Sequence, residues 1–213
     1  MKQSSVGVLV VASFLGACGG GGGSDNVDAR PTVDAAPPRP CTAPATGYGS
    51  PTPTDQSATH FPTDADGYES YAYDALLNND AMPDGLIIGL FNMAAPFDTT
   101  IMPTTIALTG DQASYETCAA CVEIDTDYDA DGDPTDVYFA NGGNLILSSI
   151  TGMFTGTISN ATFVHAIIDN DTYETTPDPD GCVTTISSLS FNIATEEDPG
   201  DLRSRKHQRK HHH

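Results

Sequence analysis

Between residues 40 and 202 the chain contains no lysine and no arginine. Its eight basic residues all lie outside that interval: Lys2, Arg30 and Arg39 before it, and Arg203, Arg205, Lys206, Arg209 and Lys210 after it. The same interval holds 26 of the 29 aspartates and glutamates, a formal charge of −26. Nucleic-acid binding by this region is excluded, because it is driven by Lys and Arg neutralising phosphates. Anionic head groups are repelled for the same reason. An anionic substrate or transition state has no cationic clamp here, and the region has no Lys or Arg of its own for an internal salt bridge. Apolar runs of about 20 residues, enough to span a bilayer, are also missing. So are a G-x-S-x-G nucleophile elbow, a phosphate loop, an H-E-x-x-H zinc helix and any internal repeat. Disorder is the rival for so acidic a chain, and the β-branched, apolar runs from Leu86 onward argue against it.

The N-terminus has a basic start at Lys2, the uncharged stretch Val6–Leu15, and small residues before a cysteine. These are the marks of a secretory signal over residues 1–17. Leu15-Gly16-Ala17-Cys18 resembles the lipobox of bacterial lipoproteins, and the resemblance implies that Cys18 is the acylated first residue of the mature chain. Contact with a membrane is then through the lipid anchor only, and the expected location is the cell envelope. Residues 18–40 read as a tether, a glycine run followed by a proline-rich stretch. Its reach is ~25 Å as a coil and about 70 Å fully extended.

Four further cysteines, Cys41, Cys118, Cys121 and Cys182, form an even set, and export favours two disulfides. Three pairings are open. The expected one joins Cys182 to Cys118 or Cys121 and gives Cys41 the other. A redox role for Cys118-Ala119-Ala120-Cys121 would need a low-pKa thiolate. The acidic, strand-like run that follows raises a thiol pKa and argues for structural use.

Residues 41–67 read as irregular lead-in, rich in Pro, Thr, Gly and Ala. Residues 68–195 read as an all-β domain. Ser70–Leu77 places Tyr71, Tyr73, Ala75 and Leu77 on one side of an extended chain, with a short helix as the alternative. Further strands are expected at 86–91, 105–108, 121–125, 137–140, 144–150, 153–159, 162–169 and 183–193. Asn141-Gly142-Gly143-Asn144 and Thr151-Gly152 separate three of these as turns, which predicts an antiparallel meander. The fold class expected is an antiparallel β-sandwich of jelly-roll or Ig-like type. Residues 196–213 read as a disordered charged tail, acidic at first and then basic.

The lipobox, the tether and the segments CAACVEI, YFANGGNLILSS, GTISNATFVHAIID and GCVTTISSLSFNI together resemble a group of myxobacterial cell-envelope lipoproteins. The resemblance covers roughly residues 68–194. It implies an exported β-rich domain held by cysteines, and it brings no activity, substrate or catalytic residue with it.

Asp125, Asp127, Asp129, Asp131, Asp133 and Asp136 fall within twelve residues. Fully extended, the first five would share one face about 6.6 Å apart, repelling by ~0.6 kcal/mol per pair in water. Asp127, Asp129, Asp131, Asp133 and Asp136 are therefore candidate metal ligands, and calcium is the candidate cofactor. Asp127–Asp133 is similar to the DxDxDG stretches of EF-hand, dockerin and thrombospondin-type repeats, with carboxylates at positions 1, 3 and 5 and glycine at 6. It departs from them at Tyr138, where the EF-hand carries a bidentate Glu, and at Pro134. The other reading is an ion-free hairpin loop turning at Asp131-Gly132. Asp169-Asn170-Asp171 reads as a further turn. His165 alternates with Phe163 and Ile167 as a partly buried sheet residue, and His60 sits in the lead-in. The expected function is a lipid-anchored binding or structural module whose partner is polysaccharide or another envelope protein. A hydrolase using a carboxylate pair or a metal is the alternative.

Overall fold

The computed structural model describes residues 39–92 and 94–198. The expected signal peptide, Cys18, most of the expected tether and the tail beyond residue 198 lie outside the described residues. What is described is all-β: eleven strands in one hydrogen-bonded sheet, with a single 3-10 turn at Gly110–Ala113. In chain order the strands are β1 Thr54–Phe61, β2 Ser70–Leu76, β3 Gly85–Phe91, β4 Thr105–Ala107, β5 Ala120–Thr126 and β6 Asp136–Ala140. They continue with β7 Asn144–Ser149, β8 Met153–Ile168, β9 Thr175–Pro177, β10 Val183–Ala194 and β11 Glu196–Glu197. The main path runs β11-β1-β2-β3-β5-β6-β8-β7-β4, with β9 and β10 on the other edge of β8. All pairs are antiparallel except β1 with β11.

The sandwich arises because this one sheet bends back on itself. The expected strands at 153–159 and 162–169 are a single strand, β8, sixteen residues long. Its buried residues change phase at the middle: Phe154, Gly156 and Ile158 point inward before Asn160, and Ala161 and Phe163 after it. A strand has period two, so an inversion of facing needs one residue out of the pleat. Asn160 provides it, with φ at 49°. β10 inverts opposite the same point, between Ile186 and Leu189.

The expected turn at Asn141–Asn144 is also different. β6 and β7 run end to end along β8, and their register is unbroken from Val137↔Ala166 to Leu147↔Gly156. Gly142-Gly143 is therefore a bend within a long ribbon, not a reversal, and the meander is replaced by that ribbon. Gly143, at φ 88°, lies against the backbone of Asn160 and Ala161, where no side chain fits.

The bend brings Tyr71 and Tyr73 of β2 over Phe154 and Phe191 of β8 and β10. Tyr73 stacks on Phe154 at 5.7 Å between ring centroids, and Phe154 on Phe191 at 5.2 Å. Such pairs add about 0.5–1.5 kcal/mol each beyond the area they bury. Tyr73 is fully buried, and its hydroxyl is satisfied by donating to Gln56 Oε1 at 3.0 Å.

Two expected boundaries move. Residues 54–61 of the lead-in form β1, where a bulge and only two fully buried residues, Ala58 and Phe61, hide the alternation. Glu196 and Glu197, expected in the tail, form β11 and pair in parallel with Thr59 and His60.

Candidate metal centre, strap and neutral face

The chain enters the domain as a strap across one end of the sheet. Arg39 donates to both carboxylate oxygens of Asp136 at 2.7 Å. Cys41 is bonded to Cys182. Thr42 Oγ1 donates to Asp136 Oδ2 at 2.9 Å and lies 2.7 Å from Thr126 Oγ1. Beyond it, Thr184 Oγ1 donates to the Pro44 carbonyl, Tyr48 N–H to the Thr185 carbonyl, and Ser187 N–H to the Gly49 carbonyl. Tyr48 Oη donates to the buried Asp84 at 2.7 Å. Burial first, and then Asp84, pushes the Tyr48 hydroxyl well above the usual phenol range. The acidic domain thus takes its one Arg salt bridge among the described residues from the last stretch of the tether.

The cysteine pairing expected from sequence is corrected here. Cys118 pairs with Cys121, and Cys41 with Cys182. Cys118 and Cys121 belong to a small cluster with Phe139 and Ala166, whereas Cys182 is part of the main core with Tyr138 and Ile186. The two clusters are separate, so Cys182 cannot reach either residue of the CxxC. Both cysteines of the CxxC are buried, which fits structural use.

The acidic run does not gather its carboxylates. Asp127 is turned at φ 52° and its N–H donates to Asp84 Oδ1. Burial, then Asp84 and Asp136, raises its carboxyl above the usual range. Asp129 Oδ1 accepts the N–H groups of Asp133 and Asp131 at 3.0 and 2.8 Å, and these hold its carboxyl below that range. Asp131 is exposed at the tip beside Gly132, at φ 87°. Asp136 is committed to the strap. The segment is a hairpin loop between β5 and β6 that closes through its own backbone, with Gly132 N–H on the Asp129 carbonyl.

Three other residues do converge. Among the described residues, His165, Asp178 and Asp180 form the one set whose ligand atoms all lie within 4.8 Å of one another. His165 comes from β8, the aspartates from the turn between β9 and β10. His165 Nδ1 is 2.6 Å from Asp180 Oδ2, and its Nε2 is 3.5 Å from Asp136 Oδ1. Its ring stacks on Tyr138 at 5.2 Å. Asp180 Oδ1 accepts Cys182 N–H, and Asp178 Oδ1 accepts Asp180 N–H. Burial works to raise the Asp180 carboxyl, but Cys182 N–H and His165 outweigh it, so it is held below the usual range. His165 lies on a strand, as its alternation with Phe163 and Ile167 predicts, but its partners are not evident from that alternation. The sequence signal for them is Asp178-Pro179-Asp180-Gly181 directly before Cys182.

His60 has a similar setting. Nδ1 lies 2.8 Å from Glu197 and Nε2 3.0 Å from Glu69, and the ring stacks on Tyr71 at 4.3 Å. Asp198 N–H donates to the His60 carbonyl. This one residue fastens β11 through both backbone and side chain. Burial, then Glu69 and Glu197, pushes the Tyr71 hydroxyl up to about 12.

The chain matches no protein-family model, no curated protein and no solved structure.

A last surface stands out by its lack of charge. β4, β7, the first half of β8 and β10 contain no charged residue and no histidine. On their outward side Thr105, Ile146, Thr157 and Ser190 lie in one cross-strand row, and Thr155 and Asn192 in the next. Rows of this kind repeat at about 4.8 Å between strands and about 6.8 Å along them. Thr155 Oγ1 donates to Asn192 Oδ1 at 2.8 Å, and Thr157 Oγ1 lies 3.2 Å from Ser190 Oγ. An open groove runs here, lined on its outward side by Ile146, Ser148, Thr155, Thr157, Ser190 and Asn192. A Cβ on Gly156 would stand 2.6 Å from Phe191 Cζ, so glycine is what lets that ring lie beneath the groove.

Proposed function

We infer that this chain is a lipid-anchored module of the cell envelope that binds a neutral polysaccharide. Acylation at Cys18, the envelope location and the ligand are all part of this reading. The observation that carries it is the uncharged hydroxyl and amide face on an otherwise strongly acidic domain. Hydroxyls and amides exchange hydrogen bonds with sugar hydroxyls at about 0.5–1.5 kcal/mol net each, and no charge has to be stripped of water. The acidity elsewhere turns away anionic polymers, which leaves neutral ones. Ser, Thr and Asn supply the contact chemistry. Calcium has a place in this reading only as an ordering ion of the Asp127–Asp133 loop.

The test is retention of the mature protein on insoluble neutral polysaccharides, beside Ser190→Glu. Ser190 is exposed, so the change alters stability by no more than about 0.5 kcal/mol. A carboxylate in the middle of the face must lose water to admit the ligand, and binding falls tenfold or more. Undiminished retention of Ser190→Glu rejects this face as the binding surface. In cells, Cys18→Ala releases the protein from the membrane fraction.

A further inference from the structure

We propose that His165, Asp178 and Asp180 bind a divalent cation of the zinc class, not calcium. The inference does not depend on the polysaccharide reading, because the three residues lie outside the uncharged strands. The donor set is one imidazole nitrogen and two carboxylate oxygens. Zinc and its neighbours accept this mixture, whereas calcium takes six to eight oxygens. In a tetrahedral site with bonds near 2.0–2.1 Å, ligand atoms stand about 3.3 Å apart. Here they already lie within 4.8 Å of one another, with His165 Nδ1 and Asp180 Oδ2 at 2.6 Å. Opening that one contact, and drawing Asp178 in, makes room for an ion.

The surroundings are those of a ligating histidine. The other ring nitrogen, Nε2, faces Asp136 Oδ1 at 3.5 Å, and Asp136 is itself held by both nitrogen–oxygen contacts of Arg39. A carboxylate behind a metal-bound imidazole fixes its orientation and raises its basicity. The backbone is set on both sides: His165 N–H donates to the Cys182 carbonyl at 2.9 Å, and Asp178 N–H to the His165 carbonyl at 2.8 Å. Cys182 is locked in turn to Cys41. The turn carrying both aspartates is therefore pinned to the strand carrying the histidine, so little order has to be created on binding. Asp178 is half-buried and Asp180 exposed, which leaves the remaining coordination positions open to water. Without an ion, the short His165–Asp180 contact closes the site.

The experiment uses the mature, disulfide-intact protein, stripped with a chelator. His207, His211, His212 and His213 are replaced by alanine, so that the tail cannot take up metal. Zinc is titrated by calorimetry, with calcium and magnesium in parallel, and melting temperature is followed. One saturable site for zinc with a raised melting temperature is expected, and calcium does not displace zinc from it. Cobalt in place of zinc gives the visible absorption of a nitrogen–oxygen site. Asp178→Asn, at a half-buried position that folding tolerates, and His165→Gln each lower zinc affinity at least tenfold. Asp129→Asn leaves it unchanged. No zinc heat in the tail-substituted protein, or zinc heat unaltered by Asp178→Asn, overturns the proposal. Calcium binding as tightly as zinc overturns the assignment of metal class.

Discussion

Replacing Cys41 and Cys182 together by alanine is expected to remove ~5 kcal/mol of stability, against ~1.6 kcal/mol for Cys118 and Cys121, on the loop-entropy model. The difference follows from what each bond closes. Cys41 and Cys182 are 141 residues apart, and Cys118 and Cys121 only three. A cross-link acts largely by narrowing the unfolded ensemble, and that effect grows with the logarithm of the loop. The long bond also holds the strap against Asp136, so its loss exposes a buried carboxylate and loosens Arg39. Since domains of this size are stable by about 5–15 kcal/mol, the first double variant stands close to unfolding at ambient temperature. Denaturant unfolding of both double variants beside the parent protein measures the two losses. Equal losses, or a larger one for the CxxC pair, would contradict the strap.

Gly143→Ala is expected to be the most damaging single methyl that can be added to the chain's glycines at the bend. An added Cβ would meet the Asn160 carbonyl and stand 2.5 Å from Ala161 Cα and 2.7 Å from Ala161 N. These are backbone atoms of the neighbouring strand and no rotamer moves them away. The residue also holds φ at 88°, where alanine is strained. Strain of about 1–3 kcal/mol therefore combines with a forced opening of the ribbon, and the loss expected is about 3 kcal/mol or more. Gly152→Ala is the control. It has φ at 72° but open space around the added Cβ, so it carries the conformational penalty alone, about 1 kcal/mol. Urea midpoints separate the two. A Gly143→Ala protein as stable as Gly152→Ala would mean that the ribbon does not bend there.

The strands were legible where burial is one-sided and the residues are apolar. Tyr71, Tyr73 and Ala75 of β2, and Leu189 and Phe191 of β10, declare their facing in the sequence because period-two alternation is a local property. The bend was not legible. Asn141-Gly142-Gly143-Asn144 has the composition of a reversal, and only its partner across the sheet, Asn160, makes it a kink. β1 was hidden for a similar reason: its alternation is broken by the bulge at Asp55, and its Thr, Ser and His residues take partners from β2 and β11. The candidate metal centre shows the same limit more sharply. Aspartates at spacing two mark residues 127–136, yet Asp129 turns to its own backbone, Asp131 is exposed at the tip and Asp136 holds the strap. His165, Asp178 and Asp180 lie thirteen or more residues apart in part, and converge only through the β8–β9 pairing and the turn that follows. Charge density marks where acids are, not where their oxygens point. The cysteine pairing failed for a related reason, since which face of the sheet a cysteine occupies depends on strand pairing, which groups Cys118 and Cys121 with Phe139 and Ala166 but Cys182 with Tyr138 and Ile186.

A single sheet, folded into two layers, is closed at one end by the strap that begins at Arg39. Peptide mapping of the non-reduced mature protein by mass spectrometry tests this closure most directly. The predicted result is a peptide pair linking Cys41 to Cys182, together with Cys118 and Cys121 joined within one peptide. A link from Cys182 to Cys118 or Cys121 would contradict it, because that bond requires the two sides of the sheet to meet.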